Sequence, residues 1–380
     1  MNWSRWNRFG WDIVNSLRRR SRPSTQRFVS TTSKSPASSS TNTSSSWKRN
    51  MPDFDPATID LHFNSLVFDG HCDTLGHAVA APPQHRDLLT RSEKGHLDLP
   101  RLREGGINVQ IFACFPGADR LHACPTAAAL RRLEAFYHLM RRAPDQLALI
   151  QTADDLARAT PHGPVHGILG LEGVEALGGS LDLLYTFHRL GVRNIGLTWN
   201  PRNAAADGAL AGTSYGLTPF GRDVVAACND LGIMIDVSHL NAAGVEDVLA
   251  FSKRPVIASH SNARALCDHP RNLTDDQIRG IAEKGGVIAA TFVSHFLHPD
   301  FRQASLNDLL DHIDHLVQVA GVDHVAIGSD FDGCLPPPEL NSGEKYPAIT
   351  QGLLQRGYSP EAIRKILGEN FRRVFLEVLF

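Results

Sequence analysis

Eight short apolar runs recur between residues 65 and 329, and helix-patterned stretches separate most of them. The runs cover 65–69, 107–113, 166–170, 193–198, 233–237, 255–259, 286–291 and 324–329. The intervening helical stretches include 125–142, 182–190, 220–231, 241–251 and 274–284. In 305–320 the apolar positions 306, 309, 310, 313, 316, 317 and 320 make a single stripe at helical spacing. A last helix over 370–379 carries Phe371, Val374, Phe375 and Val378 on one face. Several strands are continuously apolar, as expected when both faces of a parallel sheet are covered. Eight strand–helix repeats predict a (β/α)8 TIM-like barrel, which needs about 250 residues plus insertions. The rival is an open doubly wound sheet. That fold carries a Gly-rich phosphate turn after its first strand, and Gly70-His-Cys-Asp73 is not one.

The chain divides by composition into an extension over 1–52 and a barrel over 53–380. The net charge of -2 hides an asymmetry. The extension holds eight Arg and two Lys against the single acid Asp12, so the remainder is strongly acidic. That balance argues against a nucleic-acid surface on the folded part. The Ser/Thr-rich tract from Thr31 to Ser46 buries too little apolar surface to offset its ordering entropy, so disorder is expected there. An Arg-rich, Ser-rich, acid-poor start resembles a mitochondrial presequence, and the segment 3–17 could form a basic amphipathic helix. The alternative is a plain tail on a cytoplasmic protein. Neither a secretory signal nor a run of 18 apolar residues is read, so no membrane span is expected. The six Cys show no CxxC or zinc-ribbon spacing, which favours a reducing compartment.

In a barrel of this class, functional groups collect at the carboxyl ends of the strands. The first strand ends in His71-Cys72-Asp73, the third in Glu172, the fifth in Ser238-His239, the sixth in His260 and the eighth in Asp330-Phe-Asp332. Period-two geometry puts His71 and Asp73 on one face and leaves Cys72 to pack on the other. Three His and two carboxylates with no thiolate suit zinc, with manganese or cobalt possible. Five ligands exceed what one tetrahedral zinc needs once a water position is open, so two metals about 3.5–4 Å apart fit better. In this reading His71 and Asp73 hold one zinc, His239 and His260 the other, and Glu172 bridges them. A hydroxide shared by the two is the nucleophile, and Asp330 is the general base that takes its proton and returns it to a leaving amine.

These strand ends sit in longer motifs. They are Asp69-Gly-His-Cys-Asp-Thr74, Gly170-Leu-Glu-Gly173, Asp236-Val-Ser-His-Leu240, Ala258-Ser-His-Ser-Asn-Ala-Arg264, Asn272-Leu-Thr-Asp-Asp276, Ile327-Gly-Ser-Asp-Phe-Asp-Gly333 and Gly368-Glu-Asn-Phe371. Together, over residues 60–380, they resemble the membrane (renal-type) dipeptidase family, binuclear zinc peptidases of the amidohydrolase-like barrel group. The resemblance implies a metallo-dipeptidase with the five ligands and the acid/base residue named above. It also implies an Arg that clamps the free carboxylate of the dipeptide, and Arg271 stands at that place. A guanidinium suits bidentate carboxylate binding. A homodimer is compatible with the resemblance.

One departure stands out. Where better-known members carry a His after Leu-Thr that contacts the scissile carbonyl, this chain reads Gly196-Leu-Thr-Trp-Asn200, with Trp199 in that place. Trp199 offers one N–H donor, and Asn200 or Arg202 are the other candidate donors. The hydrophobic carboxyl-terminal tail that lipid anchoring requires is not seen. Asp332 competes with Asp330, and Arg264 with Arg271. Glu175, His77, His295, His298, His312 and His315 are read as structural or solvated. Two other functions share these motifs: a hydrolase of N-acyl amino acids or esters on the same metal core, and a non-catalytic metal-binding scaffold.

Overall fold

Each expected run forms a strand in the computed structural model, which describes residues 54–117 and 124–380. In chain order the strands are β1 (Val67–Cys72), β2 (Ile107–Ala113), β3 (Leu147–Leu149), β4 (Val165–Glu172), β5 (Val192–Gly196), β6 (Met234–Asp236), β7 (Val256–Ala258), β8 (Val287–Ala290) and β9 (Val325–Ile327). All pairings between them are parallel. β2 pairs with β4 from Val109↔His166 to Ala113↔Gly170, and β9 pairs onto β1 at Asp69↔Ile327, so eight strands close on themselves. The fold is a (β/α)8 barrel. The extension expected over 1–52 lies outside the described residues.

β3 is the strand the sequence pattern did not announce. It pairs with the first half of β4, Leu147↔Val165 to Leu149↔Gly167, while β5 takes the second half from Leu169↔Val192 onward. Leu147-Ala-Leu149 is too short to display a period.

Two apolar layers follow from the alternation of side chains along the strands. Phe68, Ile111, Ile168, Met234, Ile257 and Ala326 fill the barrel interior. Val67, Leu169, Ile195 and Ile235 face outward against helix residues such as Phe136, Phe187, Val224 and Ile313. The helices begin where the chain supplies caps. Thr274 and Ser305 form capping boxes with Gln277 and Asp308, and Thr218 caps a helix that starts at Pro219.

The last helical stretch closes the amino-terminal end of the barrel. It runs as Pro360–Arg364, a π-helical turn Lys365–Glu369, and Asn370–Val378. The turn brings Gly368 so close to β1 that a Cβ there would lie 2.3 Å from Leu66 O. Asn370 Nδ2 donates to Val322 O at 2.7 Å and Val325 O at 2.8 Å. Phe371 then stacks on Phe68 with centroids 4.8 Å apart. Among the described residues, no helix is long and apolar enough to cross a membrane.

Candidate active site

At the opposite end of the barrel, the side chains expected at the strand ends come together. Glu172, the last residue of β4, lies at the middle. Its Oε1 is 2.9 Å from His239 Nε2 and its Oε2 is 3.6 Å from His71 Nε2. On one side, His71 Nε2 is 3.6 Å from Asp73 Oδ2. On the other, His239 Nε2 faces His260 Nε2 at 2.9 Å. Donor atoms of His71, Glu172 and His260 lie within 4.8 Å of one another, and so do those of His71, Asp73 and Asp330. Cys72 packs in the strand–helix layer and takes no part.

The backbone is bent to achieve this. His239 (φ 71°), Asp330 (φ 60°) and Asp332 (φ 66°) are the described non-glycine residues in the left-handed region. Such conformations cost of order 1–3 kcal/mol each and cluster at functional sites. Two buried aspartates brace the strand ends. Asp236 Oδ1 accepts from the Ser238 and Ser259 amides at 2.9 and 3.0 Å. Asp69 Oδ1 accepts from the His71 and Ser329 amides at 3.1 and 2.8 Å.

The histidine rings are held from behind. His239 Nδ1 donates to Asn200 Oδ1 at 2.9 Å, and His260 Nδ1 donates to Ser259 Oγ at 2.7 Å. Ser259 Oγ–H in turn donates to Asp236 Oδ2. Each bond leaves an Nε2 lone pair directed into the cluster, the usual arrangement for a histidine that ligates a metal. Ser259, Asp236 and Asp69 were not singled out from sequence. A polar residue within three positions of a candidate ligand was the available signal.

Asp73, Glu172, His239 and Asp330 of the cluster line a cavity of about 710 Å³ walled by Phe115, Trp199, Val293, Phe296 and Leu335. Arg271 also lines it. Its side chain is 3% exposed, its Nε has no partner, and its Nη2 donates to His260 O at 3.4 Å. Arg264 instead braces the loop leading to Arg271, donating to His269 O and Pro270 O. Trp199 stacks near Phe115 with centroids 5.3 Å apart. Arg202 is turned to the surface, with Asp207 at 3.4 Å and the Tyr215 ring beneath it.

Asp330 and Asp332 part company. The side chain of Asp332 is completely buried and receives Arg86 Nη2 at 2.6 Å, Thr74 Oγ1 at 2.7 Å and the His96 amide at 2.7 Å. Although burial opposes it, Arg86 holds the Asp332 carboxyl below the usual carboxylate range. Among the other polar residues, Glu175 accepts from Asn203 Nδ2, and His312 bridges the Ala263 amide and Leu297 O. His315 meets Asp275, and His298 bonds Asp300. His77 and His295 border the cavity.

The donor set itself fits a metal. Glu172 Oε2 and His71 Nε2 are buried without a hydrogen-bond partner, which costs free energy unless something fills the gap. Burial and the nearby Asp73 push the Glu172 carboxyl well up. Asp330 is pushed up to about 7 by burial and Asp73, against the pull of His71 and Arg271. His71 is raised to about 10, because Glu172, Asp73 and Asp330 outweigh its burial. Burial and neighbouring cations push His239 and His260 well down, so both rings are neutral. Neutral imidazoles facing crowded carboxylates fit a cation between them.

The family model for membrane dipeptidases (peptidase family M19) matches residues 57–379. The chain belongs to the membrane dipeptidase family. This dipeptidase is therefore a metal-dependent hydrolase of peptide bonds. It is 34% identical to dipeptidase tcpJ of Claviceps purpurea (strain 20.1) over 325 residues, 82% of this chain and 76% of that one. Among solved structures, it resembles a metallo peptidase from Rhodobacter sphaeroides liganded with a phosphinate mimic of the dipeptide L-Ala-D-Ala. There the identity is 33%, with 83% of this chain and 99% of that chain covered at a TM-score of 0.77. The probable dipeptidase PvdM from Pseudomonas aeruginosa is 26% identical, covering 85% and 97%, also at 0.77.

Proposed function

We propose that His71 and Asp73 hold one zinc ion, that His239 and His260 hold a second, and that Glu172 spans the two. The observation that carries this reading is the division of the Glu172 carboxylate, with one oxygen toward His239 and the other toward His71. Bound metals supply Lewis-acid polarisation of a carbonyl and lower the pKa of a water.

The chain's own groups do the rest. Asp330 takes a proton from the attacking water and delivers it to the leaving nitrogen, a role suited to a carboxyl that burial has pushed up to about 7. Arg271 pairs with the free carboxylate of the dipeptide, which gives its unpartnered Nε an acceptor. Trp199 forms the wall beside the scissile bond and presents its indole N–H, and Asn200 keeps His239 oriented. The phosphinate mimic bound by the Rhodobacter relative points to dipeptides, including those with a D-residue second.

Elemental analysis and a substrate panel test the reading together. Two zinc ions per chain and turnover of L-Ala-L-Ala and L-Ala-D-Ala, but not of N-acetylalanine or alanine esters, are expected. Less than one tightly bound zinc, with no activity restored by added zinc, would overturn it. Faster turnover of N-acyl amino acids or esters than of dipeptides would replace it with the other hydrolase on the same core.

A further inference from the structure

We propose that Arg132 binds an acidic side chain on the amino-terminal residue of the substrate, so that this site favours dipeptides beginning with Glu or Asp. The inference rests on the dipeptidase reading above and deepens it.

Arg132 lies on the helix Pro125–Arg142, which follows β2, and it lines the same cavity as Arg271. Its only bond among the described residues is to its own helix, Nη1 to Ala128 O at 3.1 Å. No described carboxylate lies within ion-pair distance of it. Two arginines at the end of the helix differ, since Arg141 pairs with Glu134 at 2.6 Å and Arg142 with Asp87 at 2.7 Å, and exposed Arg131 reaches Val79 O. Those surface arginines are satisfied, while the half-buried one facing the cavity is not. A guanidinium withdrawn from water without a counter-ion is costly, and a ligand carboxylate would offset that cost.

The two cavity arginines flank the centre. Arg132 follows β2, which pairs with β1 and β4, the strands that lead to Asp73 and Glu172, whereas Arg271 follows β7 on the far side of the barrel and bonds the His260 carbonyl. A dipeptide whose carboxylate is on Arg271 and whose carbonyl is beside Glu172 therefore extends its first residue toward Asp73 and Arg132. Its ammonium meets the acidic centre. Beside it stand the apolar rings of Phe115 and Trp199. Arg132 and Arg271 are the arginines of the described lining, so with Arg271 on the substrate carboxylate the Arg132 guanidinium is left for that first side chain.

The test is a ratio, which cancels differences in the amount of folded enzyme. For the zinc-loaded full chain, kcat/KM is measured on L-Glu-L-Ala and on the isosteric L-Gln-L-Ala. A preference for Glu of about tenfold or more is expected, the size of a charge-assisted hydrogen bond. Arg132→Met should bring the ratio to about one, and Arg132→Lys should keep part of it. Equal rates on the two substrates in the unaltered protein, or a preference that survives Arg132→Met, would overturn the inference while leaving the dipeptidase reading intact. No turnover of any dipeptide would remove both.

Discussion

Two carboxylates two positions apart, Asp330 and Asp332, have opposite fates because the turn after β9 places both at positive φ. An extended strand would have shown them on one face, which is how the sequence pattern reads. Instead, Asp330 turns to the cluster and Asp332 to Arg86, 246 residues away in the chain. Asp330→Asn is expected to lower kcat by about 10²–10⁴ with metal content unchanged, and undiminished turnover would remove it from proton transfer. Ser259→Ala, which strips His260 of its support, should weaken metal affinity by about 10–100-fold, read by competition with a chelator. His71, Asp73, Glu172, His239 and His260 were readable because each sits at a strand end beside its motif. Ser259, Asp236 and Arg86 were not, since their roles arise from hydrogen bonds that only the closed barrel brings about.

Among the elements, the amphipathic stripes were the most readable. Phe371, Val374, Phe375 and Val378 are all buried, as their spacing requires. The π-helical turn before them left no such trace, because it depends on Gly368 meeting Leu66 and not on any local period. β3 escaped for a similar reason, its three residues being held by half of a neighbouring strand. Phe371→Ala should cost about 3–5 kcal/mol of stability, measured by urea denaturation. Zinc content should be unaffected, since the substitution lies at the far end of the barrel from the histidines. Loss of metal at unchanged stability would contradict that separation.

For the molecule as a whole, acid sensitivity should have a component independent of the metal centre. His62 is fully buried, with Nδ1 accepting from Thr350 Oγ1 at 2.7 Å and Nε2 donating to Gly105 O at 2.8 Å. Burial, only partly opposed by the bond to Gly105, lowers its pKa from 6.5 to about 4. The unfolded chain therefore binds the proton more readily. The associated stability is fully present above pH 6.5 and is lost as pH falls toward 4, by about 3 kcal/mol in all. His62→Gln should flatten the pH dependence of unfolding in that window relative to the unaltered protein, and superimposable slopes would refute the assignment. The helix over 360–378 carries a different kind of consequence. It follows all nine strands in the chain, yet it supplies the lid against which Phe68 packs. During synthesis the barrel therefore waits, open at one end and apolar inside, until those residues emerge. Ribosome-bound chains halted before residue 360 would present that opening to chaperones.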